Sequence, residues 1–163
     1  MPHLADLGPS LPWLHWQKFL ILVPAIPSQP NIGSQRNVTV GAFTLAYYRS
    51  ILEEVNDDKL FGIFHCFTGT LEQAKRATGY NLKLGIGGVV TFKNGKIDQF
   101  LAQLPLSSIV LETDAPYLAP APFRGKRNES AYLSMVAKKL STIYSLPVEE
   151  IVNQTTQNAQ AVF

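Results

Sequence analysis

Two polar residues with metal-ligand chemistry stand directly after apolar runs of this sequence. His65 follows the apolar part of "FGIFHCFTG" (61–69), and Asp114 follows that of "SSIVLETDAP" (107–116). Neutral imidazole and carboxylate groups are ligands suited to zinc, manganese or magnesium. From the spacing alone two interpretations stay open. Both side chains belong to a metal site, or His65 hydrogen-bonds a loop while Asp114 caps the following turn.

Two neighbouring features are weaker signals. Cys66 alternates with His65, so a regular strand would turn its thiol away from the site, and we expect a buried, inert thiol. "GIGG" (85–88) lacks the spacing of the phosphate-binding glycine motifs. It predicts a tight turn in which the backbone can approach another backbone segment or a ligand.

A basic loop follows Asp114 at a short distance. "FRGKRNES" (123–130) contains Arg124, Lys126 and Arg127. Guanidinium and ammonium groups close to a metal could bind the phosphate oxygens of a substrate. Taken alone, these charges fit a solvated surface loop better.

The composition is that of one ordinary domain. The chain has 163 residues, of which 46% are hydrophobic and 16% charged, so it can bury a core. A net charge of +2 does not by itself predict nucleic-acid binding, and a single cysteine excludes an internal disulfide. The apolar run "FLILVPAI" (19–26) is much shorter than the roughly 20 residues that span a bilayer. We expect a soluble, cytoplasmic protein with no membrane partner.

The elements that must position these residues alternate between helix and strand. Helices are predicted over 46–57, 70–79, 95–105, 129–144 and 147–163, and strands over 60–67, 82–92 and 107–114. Thr70 fits a helix N-cap, and Pro147 fits the start of the last helix. Such alternation predicts parallel strands covered by helices. The carboxyl ends of the strands, where α/β folds build their sites, hold His65, Gly87, Gly88, Glu112 and Asp114.

The first part of the chain is unlike the rest. Residues 1–48 contain three charged side chains and six of the eleven prolines. A folded surface needs more interspersed charge than that, and the prolines would interrupt regular elements. We therefore expect residues 1–45 to be a poorly ordered head, separate from a patterned domain over 46–163.

Four segments together are far more specific than any one of them. They are "HCFTG", "LGIGGVVTFKN", "IVLETDAPYLAP" and "RGKRNES". Their order and spacing closely resemble the C-terminal half of the TatD family of metal-dependent deoxyribonucleases. The resemblance covers roughly residues 50–163 and runs through the final "TTQNAQAVF". It implies an α/β fold that is the C-terminal half of a TIM-type (β/α)8 barrel of the metal-dependent hydrolase superfamily, here incomplete.

The resemblance also implies an activity and a site. Members of the family hydrolyse phosphodiester bonds in DNA at a divalent metal centre, so the cofactor would be Mg, Mn or Zn and the partner DNA. The family's histidine and aspartate fall on His65 and Asp114, as metal ligands. Asp114 would also be catalytic by helping to activate the attacking water. Next to such a metal, the three cations of the basic loop, Arg124, Lys126 and Arg127, are the predicted contacts to the substrate phosphate.

The chain departs from the family pattern ahead of "HCFTG". The family begins with a strand carrying a His-x-His pair and later supplies a Glu and another His. Here the other histidines are His3 and His15, in contexts that do not match, and Ser34 stands where one family histidine would fall. The alternative to a DNase is therefore a truncated, non-catalytic remnant. We expect the activity of this chain by itself to be impaired. The open sheet edges of an incomplete barrel would also permit self-association.

Overall fold

Five strands form one sheet in the computed structural model, which describes residues 19–23, 36–40 and 61–162. The strands are β1 (Phe19–Val23), β2 (Arg36–Val40), β3 (Gly62–Phe64), β4 (Leu82–Ile86) and β5 (Ile109–Leu111). Their order across the sheet is β2-β1-β3-β4-β5. Strands β3, β4 and β5 are parallel, whereas β1 pairs antiparallel with both β2 and β3. The predicted parallel strands are thus confirmed.

The parallel strands are buried on both faces, as their nearly continuous apolar sequences predict. On one face Leu82, Leu84 and Ile86 of β4 pack in the main core with the helices. On the other face Ile63 and Val110 form a smaller cluster that also contains Val162. Because successive strand side chains point to opposite faces, this second face also receives the polar residues that follow the strands.

Three helices cover the main core. They are α1 (Leu71–Gly79), α2 (Leu133–Tyr144) and α3 (Val148–Gln160). Thr70 caps α1 in a capping box with Gln73, because each side chain bonds the other residue's backbone N–H. Pro147 stands at the N-cap of α3. The predicted start points of these two helices are therefore confirmed.

One predicted helix is wrong. Residues 95–105 form two short 3₁₀ turns, Ile97–Gln99 and Leu101–Gln103, instead of one α-helix. Phe100 between them has φ −129°, outside the helical range. The backbone hydrogen bonds of both turns join residues three apart in the sequence, as in a 3₁₀-helix. Ile97 and Leu101, one in each turn, are both buried in the core.

Several predictions fall on residues outside the described ranges. The helix predicted over 46–57 lies there, as does the expected head of residues 1–45 apart from β1 and β2. Among the described strands β2 and β5 are the sheet edges, and self-association through an edge stays a prediction. Within the described ranges, no helix combines the length and apolar character that crossing a bilayer requires.

Asn158 of α3 ties this helix to the start of β5. Its buried amide nitrogen donates to the carbonyl oxygens of Leu106 at 2.8 Å and Ile109 at 2.7 Å. Asn158→Ala leaves two carbonyls without this donor, so we expect the free energy of unfolding to fall by about 1–3 kcal/mol. Urea unfolding checks this, with Asn153→Ala on the exposed side of the same helix as the control. Equal effects of the two substitutions would contradict the anchoring role.

Candidate metal centre

His65 and Asp114 come together at the carboxyl edge of the parallel strands. His65 follows the last residue of β3 directly, and Asp114 lies three residues after the end of β5. Nε2 of His65 is 3.0 Å from Oδ1 of Asp114. Their side chains are 27% and 15% exposed, so both are partly buried. The structure therefore brings together the two residues predicted as metal ligands.

Glu112 is the third member of this cluster, although it was not among the residues predicted for the site. Its Oε2 is 2.7 Å from Nδ1 of His65, and its Oε1 accepts the backbone N–H of Cys66. The signal was available in strand alternation, because Glu112 is two residues beyond Val110 on the same face of β5. The imidazole of His65 thus lies between two carboxylates.

The glycines of "GIGG" make room for these carboxylates and for the loop that follows them. A Cβ atom at Gly85 would collide with the carboxylate of Glu112. At Gly88 it would collide with the carbonyl oxygen of Leu118. The predicted role of these glycines, close approach of other groups to the backbone, is therefore seen at both positions.

The charges of the cluster favour a cation. The hydrogen bond to Asp114, and to a smaller extent the one to Glu112, raises the pKa of His65 to about 10. Burial raises the pKa of Glu112, and contact with His65 opposes that shift. A divalent cation would displace the proton from Nε2 of His65 and take its place beside the carboxylate of Asp114.

Asp114 retains an unused ligand atom. Within the described part of the chain, its Oδ2 is buried and has no hydrogen-bond partner. A buried carboxylate oxygen without a partner is costly, and a bound cation is one way to satisfy it. Together with the imidazole nitrogen of His65, this oxygen is a donor set that fits Mg²⁺, Mn²⁺ or Zn²⁺.

Cys66 faces this site, so the prediction that it points away is wrong. Its φ of 51° interrupts the strand geometry directly after His65, and alternation no longer applies. The sulfur and one oxygen each of Glu112 and Asp114 lie within 4.8 Å of one another. The predicted burial is confirmed. Burial raises the pKa of the thiol well above its usual range, and the nearby carboxylates add to that shift, which favours the protonated thiol.

The basic loop (123–130) follows Glu112 and Asp114 in the sequence. Arg124 stacks over the ring of Phe92, with its guanidinium carbon 4.3 Å from the ring centroid, and Lys126 and Arg127 are exposed. Among the described residues no ion pair joins these three cations to an acidic side chain. Their assignment to a substrate phosphate stays a prediction.

Asn128 holds the base of this loop. The side chain is buried, and its amide nitrogen donates to Tyr117 O at 2.7 Å and to Thr113 Oγ1 at 3.2 Å. The backbone N–H of Asn128 donates to Pro116 O. The segment from Asp114 to the basic residues is therefore pinned next to the candidate metal ligands.

Comparison with known proteins shows the family of this chain. The family model described as "TatD related DNase" matches residues 44–163. An uncharacterized metal-dependent hydrolase of Bacillus subtilis, YabD, is 42% identical over 115 residues, 70% of this chain and 45% of that protein. An uncharacterized metal-dependent hydrolase of Escherichia coli K12, YcfH, is 37% identical over 123 residues, 75% of this chain and 45% of that protein.

Solved structures show the same relationship. The crystal structure of YjjV, a TatD homolog from Escherichia coli, matches with a TM-score of 0.60 and 34% identity, over 63% of this chain and 40% of that one. A TatD family hydrolase from Entamoeba histolytica has a TM-score of 0.64 at 19% identity, over 72% and 47% of the two chains, and supports the fold. The chain spans less than half the length of these relatives. It belongs to the family of TatD-related DNases and contains the C-terminal part of that family's TIM-type barrel.

Proposed function

We propose that the protein is a metal-dependent hydrolase that cleaves phosphodiester bonds in DNA. The observation that carries this proposal is the buried, unpartnered Oδ2 of Asp114 beside the imidazole of His65. The relatives YabD and YcfH are named metal-dependent hydrolases, which supports the hydrolase class. The family description supports DNA as the substrate.

In this proposal His65 and Asp114 hold the ion and orient the reaction. A divalent ion in such a site neutralises phosphate charge and makes water more acidic. The carboxylate of Asp114 takes the proton of the attacking water while the new P–O bond forms. The bond from phosphorus to the departing sugar oxygen then breaks, and that oxygen takes up a proton from solvent. Asp114 is therefore both a ligand and the proton acceptor.

The basic loop supplies the contacts to the DNA backbone. Lys126 and Arg127 are exposed, and Asn128 fixes the loop beside the strand end that bears Asp114. Cationic side chains position a duplex through its phosphates without reading its sequence. We therefore expect DNA binding by this loop to depend on salt and not on base sequence.

A plasmid nicking assay with Mn²⁺, and with EDTA as the blank, tests the proposal. We expect nicking that requires Mn²⁺. The double substitution Lys126→Ala/Arg127→Ala should weaken DNA binding and reduce its log–log salt dependence by about 1–2 units, since up to two phosphate contacts are lost. The double substitution Lys75→Ala/Lys138→Ala removes two exposed charges elsewhere and should leave the salt dependence unchanged.

A second candidate is a non-catalytic remnant of such an enzyme. It is favoured by the sequence, which contains no His-x-His pair and holds His3 and His15 in contexts unlike those of the family's other ligands. A chain that binds Mn²⁺ but leaves plasmid DNA intact would support the remnant and contradict the proposed DNase.

A further inference from the structure

We propose that Glu112 is a positioning residue that holds Nδ1 of His65, so that Nε2 is the nitrogen presented to the metal. This inference rests on the proposed function, in which a divalent ion binds between His65 and Asp114. The role differs from that of a ligand. Glu112 would act on the ion through the imidazole ring of His65 and would not touch it.

The two carboxylates beside His65 are unequal in what they have left to offer. Both oxygens of Glu112 are in use, because Oε2 faces Nδ1 of His65 at 2.7 Å and Oε1 accepts the backbone N–H of Cys66. Asp114 uses Oδ1 toward Nε2 of His65, at 3.0 Å, while its buried Oδ2 has no partner among the described residues. The open ligand position is therefore on the Asp114 side of the ring, where Nε2 points.

Glu112 is also seated more rigidly than a surface glutamate. Its side chain is 13% exposed and occupies the space over Gly85, where a Cβ atom would collide with the carboxylate. Gly85 of β4 pairs with Val110 of β5, so two neighbouring strands define the position of this carboxylate. A histidine ligand commonly donates its second ring N–H to a carboxylate in this way, which fixes the tautomer and the orientation of the ring.

The hydrogen-bond pattern shows why glutamine cannot replace Glu112. Both partners of the carboxylate, the Cys66 N–H and Nδ1–H of His65, are donors. A carboxylate accepts from both, whereas a glutamine side chain offers one acceptor and one donor group. Whichever way the amide of Glu112→Gln faces, one of the two contacts is lost and its donor faces another donor.

Zinc binding and histidine NMR test this inference together. In a His3→Gln/His15→Gln chain, His65 is the one remaining histidine, so its ring nitrogens can be followed in ¹H–¹⁵N correlation spectra during a Zn²⁺ titration. We expect zinc on Nε2 and a proton on Nδ1. Glu112→Gln should lower zinc affinity about 10–100-fold and weaken the preference for Nε2. The control Glu72→Gln, an exposed glutamate paired with Arg76, should change neither.

The possible outcomes separate this inference from the proposed function. Zinc on Nδ1, or unchanged affinity in Glu112→Gln, would overturn the positioning role and leave the proposed function standing. Loss of zinc binding in Glu112→Gln as complete as in Asp114→Asn would overturn it too, since that is the effect of removing a ligand. A folded chain that binds no zinc would overturn both. Because the ring nitrogens are identified with Glu112 intact, they decide the matter even if Glu112→Gln fails to fold.

Discussion

Asp114→Asn is expected to lower kcat/KM for DNA hydrolysis with Mn²⁺ at least about 10³-fold, because several kcal/mol of transition-state stabilisation depend on the ion. Asparagine removes the negative charge that favours the cation. It also removes the group that accepts the proton of the attacking water. The buried Oδ2 of Asp114, which has no partner among the described residues, is the atom whose chemistry changes most. Initial rates of plasmid nicking, measured with and without Mn²⁺, check the prediction.

Asp98→Asn is the matched control for this substitution. This substitution also removes a negative charge and a contact, here a 3.0 Å ion pair with Lys139 on α2. Asp98 belongs to the 3₁₀ turn Ile97–Gln99 and not to the cluster around His65. We expect its nicking rate to stay close to that of the wild-type chain. Comparable losses in Asp98→Asn and Asp114→Asn would contradict a specific role for Asp114.

Phe67→Ala is expected to lower the free energy of unfolding by about 3–5 kcal/mol. The ring of Phe67 is 1% exposed and packs edge-on against Phe64, with centroids 5.5 Å apart and an interplanar angle of 71°. Its backbone N–H donates to Gly85 O at 3.0 Å, which continues the contact between β3 and β4. Removing the ring leaves a cavity beneath the segment that bears His65. Urea unfolding monitored by circular dichroism measures the loss.

Tyr117→Ala provides the comparison for an aromatic residue outside the core. Its side chain is 73% exposed, so truncation removes little buried surface, and we expect a change within about 0.5 kcal/mol. If Phe67→Ala were as mild as Tyr117→Ala, the packing of the "HCFTG" segment described above would be wrong.

The parallel strands, the capped helices and the meeting of His65 with Asp114 could be predicted because local patterns determine them. Thr70 and Pro147 have short-range signatures at helix starts. His65 and Asp114 follow apolar strands, and in a parallel sheet such positions meet at one edge. Neither of these predictions requires knowing which residues of neighbouring strands pair with each other.

The orientation of Cys66 was misjudged, and the contacts that Glu112 makes were not predicted, because local patterns determine neither of them. The role of Glu112 depends on the pairing of β4 with β5 and on the space left by Gly85. Cys66 faces the site because its φ is positive, and no residue-type preference predicts a positive φ for cysteine. The break at Phe100 was not predicted either, because Ile97 and Leu101 are four residues apart, as on one face of a helix, and this spacing gives no local sign of the break.

The central claim is that His65 and Asp114 bind one divalent ion at the carboxyl edge of the parallel strands. A crystal of the chain soaked in Mn²⁺, with anomalous diffraction recorded, tests this most directly. We expect one anomalous peak in contact with Nε2 of His65 and the carboxylate of Asp114, and its loss in Asp114→Asn. A wild-type crystal with no peak beside these two residues, or with its peak elsewhere in the fold, would contradict the claim.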